Sequence, residues 1–242
     1  MRIQVDHLTK RHRGKYAIRD VSFTAEPGRV TGFLGPNGAG KSSTLRILLG
    51  LDRADAGRAL FDGVEYRRLR NPLCTVGSLI DGSGAHRSRT ARAHLSWVAR
   101  SNGIPKRRVD EVLETTGLAE AARRPVGLFS LGMGQRLGLA TALLGEPDAL
   151  VLDEPVNGLD PDGIRWVRTF LRRYAAGGRT VLLSSHLMGE MADTADDLVV
   201  ISAGRIVTRG PLETVTAGHA SLEDAFFALT DAGAAHRSGR GG

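Results

Sequence analysis

The stretch GFLGPNGAGKSS, Gly32 to Ser43, decides the fold. It carries Gly35 and then Gly40-Lys41-Ser42 in the spacing Gly-x-x-x-x-Gly-Lys-Ser. Glycines at these places let the backbone turn sharply, so that successive N–H groups point inward around phosphate oxygens. A helix beginning at Lys41 offers the positive end of its dipole to the same anion. In such a loop the lysine reaches the β- and γ-phosphates and the Ser42 hydroxyl joins the shell of a Mg²⁺ ion. Gly35, Pro36, Asn37, Gly38, Ala39, Gly40, Lys41, Ser42 and Ser43 are therefore the candidate nucleotide-binding residues. A β-type run, RVTGFL, precedes the loop and a helical pattern, KSSTLRILLG, follows it. Strand, loop and helix in that order predict an α/β core.

The rest of the chain extends the pattern. Short β-type runs, IQVDHL and VSFTAE, lie before the loop, and GRALFDGV after the first helix. From about residue 86 to 146 the periodicity is helical, predicting an inserted α-helical subdomain. A buried-type strand returns in ALVLDEPVNGLD, Ala149 to Asp160. It ends in Asp153, placed to hold Mg²⁺, and Glu154, which the alternation of a strand turns the other way, toward an attacking water. A helix from about Pro161 to Ala176, the strand TVLLSS, a short helix, DLVVIS and GRIVTRG follow. Strands alternating with helices predict a mostly parallel sheet. Residues 1–230 read as one domain and 231–242, ending in AAHRSGRGG, as a flexible tail.

Composition narrows the partners. The 33 Lys and Arg exceed the 26 Asp and Glu, giving +7, but the positive charge is scattered arginine without a compact stripe or an aromatic-rich RNA motif. No nucleic-acid partner is expected. The single cysteine, Cys74, excludes an internal disulfide. The start, MRIQVDHLTKRHRG, has no apolar segment of a secretory signal, and no run approaches the ~18 apolar residues of a membrane span.

In order the chain shows the phosphate loop, FSLGMGQRLGLA, LDEP, NGLD and SSH ending in His186. With these motifs, over about residues 3 to 230, it resembles the ATP-binding subunits of ABC transporters. The resemblance implies a P-loop NTPase core with a mostly parallel sheet, a small antiparallel β subdomain and an inserted α-helical subdomain carrying the signature. It implies ATP and Mg²⁺ as cofactors and catalysis by Glu154 and His186 with Lys41. The family signature is Leu-Ser-Gly-Gly-Gln. Here Phe129 to Met133 keep Ser130 and Gly132, while Leu131 replaces a glycine and Met133 the glutamine. Ser130 and Gly132 are then the contacts to ATP on a facing subunit, and one lost side-chain hydrogen bond, worth about 0.5–1.5 kcal/mol, weakens that site without abolishing it. Asp160 matches the loop that crosses the dimer interface.

Where the family stacks adenine on an aromatic ring, KRHRGKYAIRD offers His12 by alignment and Tyr16 by chemistry. In TVGSLIDGSG, Asp81 stands where the family carries a glutamine near the metal. The basic HRSRTAR that follows suggests a polar docking surface, with Arg87, Arg89 and Arg92 reading acidic groups. The resemblance further implies a separate transmembrane permease, a dimer with an identical or similar subunit, and a place on the cytoplasmic face of the membrane. The signature variant and the ending SLEDAFFALT look like those of drug- and peptide-antibiotic exporters. A non-transport ATPase of the same fold and an importer subunit are the alternatives.

Overall fold

The computed structural model describes residues 1–80 and 82–238, with side chains described to residue 230. The strands are β1 (Ile3–His12), β2 (Lys15–Ala25), β3 (Val30–Leu34), β4 (Ala56–Phe61), β5 (Val76–Leu79), β6 (Ala149–Asp153), β7 (Thr180–Ser185), β8 (Asp197–Ser202) and β9 (Arg205–Pro211). The helices are α1 (Lys41–Leu48), α2 (Pro72–Thr75), α3 (Ala91–Ser101), α4 (Arg107–Thr115), α5 (Leu131–Leu143), α6 (Pro161–Ala176), α7 (Met188–Thr194), α8 (Leu212–Thr216) and α9 (Leu222–Ser238). β2, β1 and β4 form an antiparallel sheet. The main sheet has the order β5-β6-β7-β3-β8-β9, parallel except for β9.

Two cores follow from strand periodicity. Leu150, Leu152, Val181, Leu183, Val30 and Leu34 enter one core with the helices α3 to α7 and α9. Their alternates Ala149, Val151, Leu182 and Phe33 enter the other, with Leu45 and Leu48 of α1 and the inner faces of β1 and β2. Buried on both faces, β3 and β7 read as continuous apolar runs rather than alternating ones. Each fully buried Leu or Phe contributes roughly 1.5–3 kcal/mol.

The helical segment α3–α5 enters and leaves the sheet between β5 and β6. The sequence pattern does not mark β5, because VGSL is four residues with a glycine at its centre. That glycine is what lets α5 lie close: a Cβ on Gly77 would collide with the Ala142 carbonyl. Helix α9 continues past residue 230, where composition suggests a tail, and runs to Ser238. Residues 239–242 of that expected tail lie outside the described residues. Among the described residues no helix is long and apolar enough to cross a membrane.

Candidate active site

β6, β7 and β3 are neighbours, so their carboxyl ends open onto one edge of the sheet. Leu34 pairs with Ser185, and Asp153 pairs with Ser184. The register therefore brings the loop after β3, the acidic end of β6 and the SSH end of β7 together, the usual place for a ligand in such a sheet.

Gly40 caps α1 with φ of 111°, and a Cβ there would stand 2.5 Å from Ile18 Cγ2. Both the backbone angle and the space demand glycine. The first turn of α1 holds no acidic residue, so its positive end is left for an outside anion. Lys41 is 6% exposed. Its ammonium donates to the Gly35 carbonyl at 2.6 Å and to that of Pro36 at 3.4 Å, and lies 3.7 Å from Glu154 Oε1. Asn37, Gly38, Gly40, Lys41, Ser42 and Ser43 line a cleft of about 210 Å³ together with Ala17 and Glu154. A larger cavity, about 350 Å³, lies between α6, β7 and α7, but its lining is mostly apolar. The converging charges mark the smaller cleft as the chemical one.

Glu154 does not reach the cleft by strand alternation. β6 ends at Asp153, and Glu154 takes a left-handed backbone with φ of 50°. Such a conformation costs a non-glycine residue about 1–3 kcal/mol and persists only when its surroundings over-determine it. They do so here. The Glu154 N–H lies 3.2 Å from both the backbone carbonyl and the hydroxyl of Ser184. The Glu154 carbonyl accepts from Gln135 Nε2 at 2.8 Å and from the Asn157 N–H at 3.2 Å. Its carboxylate sits 2.9 Å from His186 Nδ1 through either oxygen. A carboxylate only accepts, so Nδ1 carries the proton in this pair. The Ser184 hydroxyl also donates to Asp153 Oδ1. Glu190 of α7 stands close by, and burial first, then the Glu154 charge, push its carboxyl above the usual range against the opposing pull of His186.

Asp153 and the exposed Ser42 hydroxyl are a sparse donor set, and no cluster of three or more His, Cys, Asp or Glu suits a metal among the described residues. That fits Mg²⁺, which takes most of its octahedral shell from phosphate and water and needs only one or two protein groups.

Ser130 and Gly132 do not line this cleft. Ser130 caps α5, its oxygen accepting the Met133 N–H at 3.2 Å, which leaves its own O–H free to donate. A Cβ on Gly132 would lie 2.9 Å from the Gly158 carbonyl, so the signature turn leans on the NGLD loop. Leu131, in the place of the family's glycine, is 71% exposed. Asp160 caps α6, accepting the Gly163 N–H at 2.8 Å. At the β1–β2 hairpin the Tyr16 ring is held by the guanidinium groups of Arg11 and Arg19, at 4.3 and 4.9 Å, and its hydroxyl by Arg11. His12, at the end of β1, is exposed. Asp81 lies outside the described residues. Of the basic segment, Arg92 pairs with Asp110 at 2.5 Å and Arg89 stacks on Trp97 at 5.0 Å, so two of the three arginines are engaged within the helical segment. Sequence reasoning missed Ser184, Gln135 and Glu190. Ser184 is the first residue of the recognised SSH motif, but only the pairing of β6 with β7 reveals its role.

A family model described as "ABC transporter" matches residues 18–157. The chain is 37% identical over 214 residues to the bacitracin transport ATP-binding protein BcrA of Bacillus licheniformis, covering 87% of this chain and 70% of that protein. It is 34% identical over 224 residues to the lantibiotic transport ATP-binding protein SrtF of Streptococcus pyogenes, covering 93% and 95%. A solved structure described as the ATP-binding subunit of an ABC transporter superposes with a TM-score of 0.85 at 26% identity, covering 95% of this chain and all of that one.

Proposed function

The chain belongs to the ABC transporter ATP-binding family, and from that premise we propose how its residues divide the work of hydrolysis and what that work drives. The chain binds and hydrolyses ATP. Lys41, the loop amides and the α1 dipole hold the phosphates. Ser42 and Asp153 are the groups that would hold Mg²⁺, whose charge offsets that of the phosphates when it is bound with the nucleotide. Glu154 accepts a proton from the attacking water as its oxygen bonds to the γ-phosphorus and ADP departs. His186 keeps the carboxylate aimed. His12 faces the adenine, since two guanidinium groups already occupy Tyr16.

Ser130, Gly132 and Asp160 serve the cleft of a second subunit, identical or similar, facing head to tail. ATP binding closes the pair and hydrolysis reopens it. The closure works a separate transmembrane permease, to which the subunit docks on the cytoplasmic side. The exported molecule is a drug or peptide antibiotic of the kind named for BcrA and SrtF. The observation that carries the reading is the meeting of Lys41, Glu154 and His186 at one strand edge.

The deciding experiment is Glu154→Gln. A positioned base is worth about 10²–10⁴-fold. Turnover should fall at least about 100-fold while ATP binding persists and an ATP-bound dimer accumulates on size exclusion. Wild-type-like turnover would remove Glu154 from the chemistry.

A further inference from the structure

We infer that Gln135 is a positioning residue for ATP hydrolysis: its side-chain amide, on α5, fixes the backbone of Glu154, so the carboxylate of one site depends on the helix whose first turn serves the other. This rests on the roles of Glu154 and Ser130 proposed above.

Gln135 is buried, 8% exposed, in the middle of a helix otherwise packed with leucine and alanine. A buried amide costs stability unless it is hydrogen-bonded. Its Nε2 donates to the Glu154 carbonyl at 2.8 Å. That carbonyl's other bond, to the Asn157 N–H, lies within the same turn and moves with it. Gln135 is therefore the group that ties the carbonyl side of Glu154 to another element, while Ser184 holds the N–H side from β7. With φ of 50°, Glu154 relaxes toward an ordinary conformation when such restraints are removed. The relaxation swings the carboxylate away from His186 and Lys41. A misplacement of about 1 Å in a reacting group is enough to cost a large factor in rate.

The same bond gives a route between two sites. Gln135 lies five residues beyond Ser130, the cap of α5, about 7.5 Å along the helix axis. Farther along, α5 rests on β5 through the close approach of Ala142 to Gly77. A ligand that pulls on the capped end tilts α5 about that rest, and through Gln135 the motion reaches the backbone of Glu154.

The test uses the full chain. Gln135→Met keeps length and volume but loses the donor. Its kcat should fall roughly 10-fold, with the half-saturating ATP concentration unchanged. Placed in the Glu154→Gln background, it should still form the ATP-dependent dimer. Gln135→Glu supplies an acceptor alone while ionised and regains an O–H donor when protonated; burial raises such a carboxyl above its ordinary value of about 4.3, so its rate relative to wild type should climb as pH falls from 7.5 to 5. A lowered melting temperature with wild-type kcat would assign Gln135 to packing and overturn the inference. A Gln135→Glu rate ratio independent of pH would do the same, and decides the matter should Gln135→Met not fold. If Glu154→Gln abolishes turnover while Gln135→Met is unaffected, the strut alone fails. If Glu154→Gln itself turns over normally, the strut falls together with the site reading.

Discussion

Ser184 shows how much one hydroxyl can fix. It is fully buried, pairs with Asp153 across the β6–β7 ladder, donates to the Asp153 carboxylate and lies within hydrogen-bonding distance of the Glu154 N–H. Both acidic groups of the site thus hang on one side chain of β7. Hydrogen bonds to charged groups contribute about 1.5–3 kcal/mol, while the Glu154 N–H keeps the Ser184 backbone carbonyl as its remaining acceptor. Ser184→Ala removes the donor to Asp153 and the side-chain acceptor for Glu154 at once. ATP hydrolysis should fall by about 10- to 100-fold, and the Mg²⁺ concentration for half-maximal rate should rise, because a carboxylate without its donor is less well oriented. A steady-state Mg²⁺ titration of the variant at saturating ATP checks both. An unchanged Mg²⁺ requirement would detach Asp153 from the metal.

At the scale of elements, legibility follows chain distance. The phosphate cradle was readable because its geometry is written in consecutive residues, with Gly40 forced by its own φ and by Ile18. The central strands were readable because both of their faces are buried. Ser184 and Gln135 were not, since their roles exist only after β6 meets β7 and α5 meets the turn at Glu154. Nor could alternation place Glu154, because a left-handed residue after the strand breaks the period on which alternation depends. The α3–α5 contact holds another feature of this kind. His94 is 4% exposed, its Nδ1 is buried without a partner, and its Nε2 lies 3.4 Å from the Thr141 hydroxyl. Burial first, and the Arg89 charge second, hold its pKa below the ordinary 6.5. The unfolded chain therefore binds a proton that the folded chain refuses. Stability is full above about pH 6.5 and is lost as pH falls from there toward the depressed folded value, at no more than about 1.4 kcal/mol per pH unit. Melting curves between pH 7.5 and 5.5 should show a steeper decline for wild type than for His94→Leu, and equal slopes would exonerate His94.

For the whole molecule the decisive fact is separation. Lys41, Glu154 and His186 meet at one cleft, while Ser130 and Gly132 lie outside its lining, Gly132 against the NGLD loop. If Ser130 and Gly132 serve a facing cleft as proposed, the chain owns two halves that it does not join itself, and the proposed hydrolysis requires a second chain. Specific ATPase activity should then rise with protein concentration and level off once the dimer dominates, whereas a monomeric enzyme would be indifferent to dilution. Two terms compete in that association. Leu128 and Leu131, 65% and 71% exposed beside the signature, gain roughly 1.5–3 kcal/mol each if the facing chain buries them. Opposing them, each copy carries a net +7. At physiological salt, charges farther apart than about 8 Å are largely screened, and the apolar term wins; at 0.01 M the screening length is about 30 Å and the repulsion is felt across the whole interface. The protein concentration giving half-maximal specific activity should therefore be higher at 0.01 M than at 0.15 M salt. Dilution series at the two ionic strengths measure it, and a flat activity profile at both would leave the chain a self-sufficient monomer.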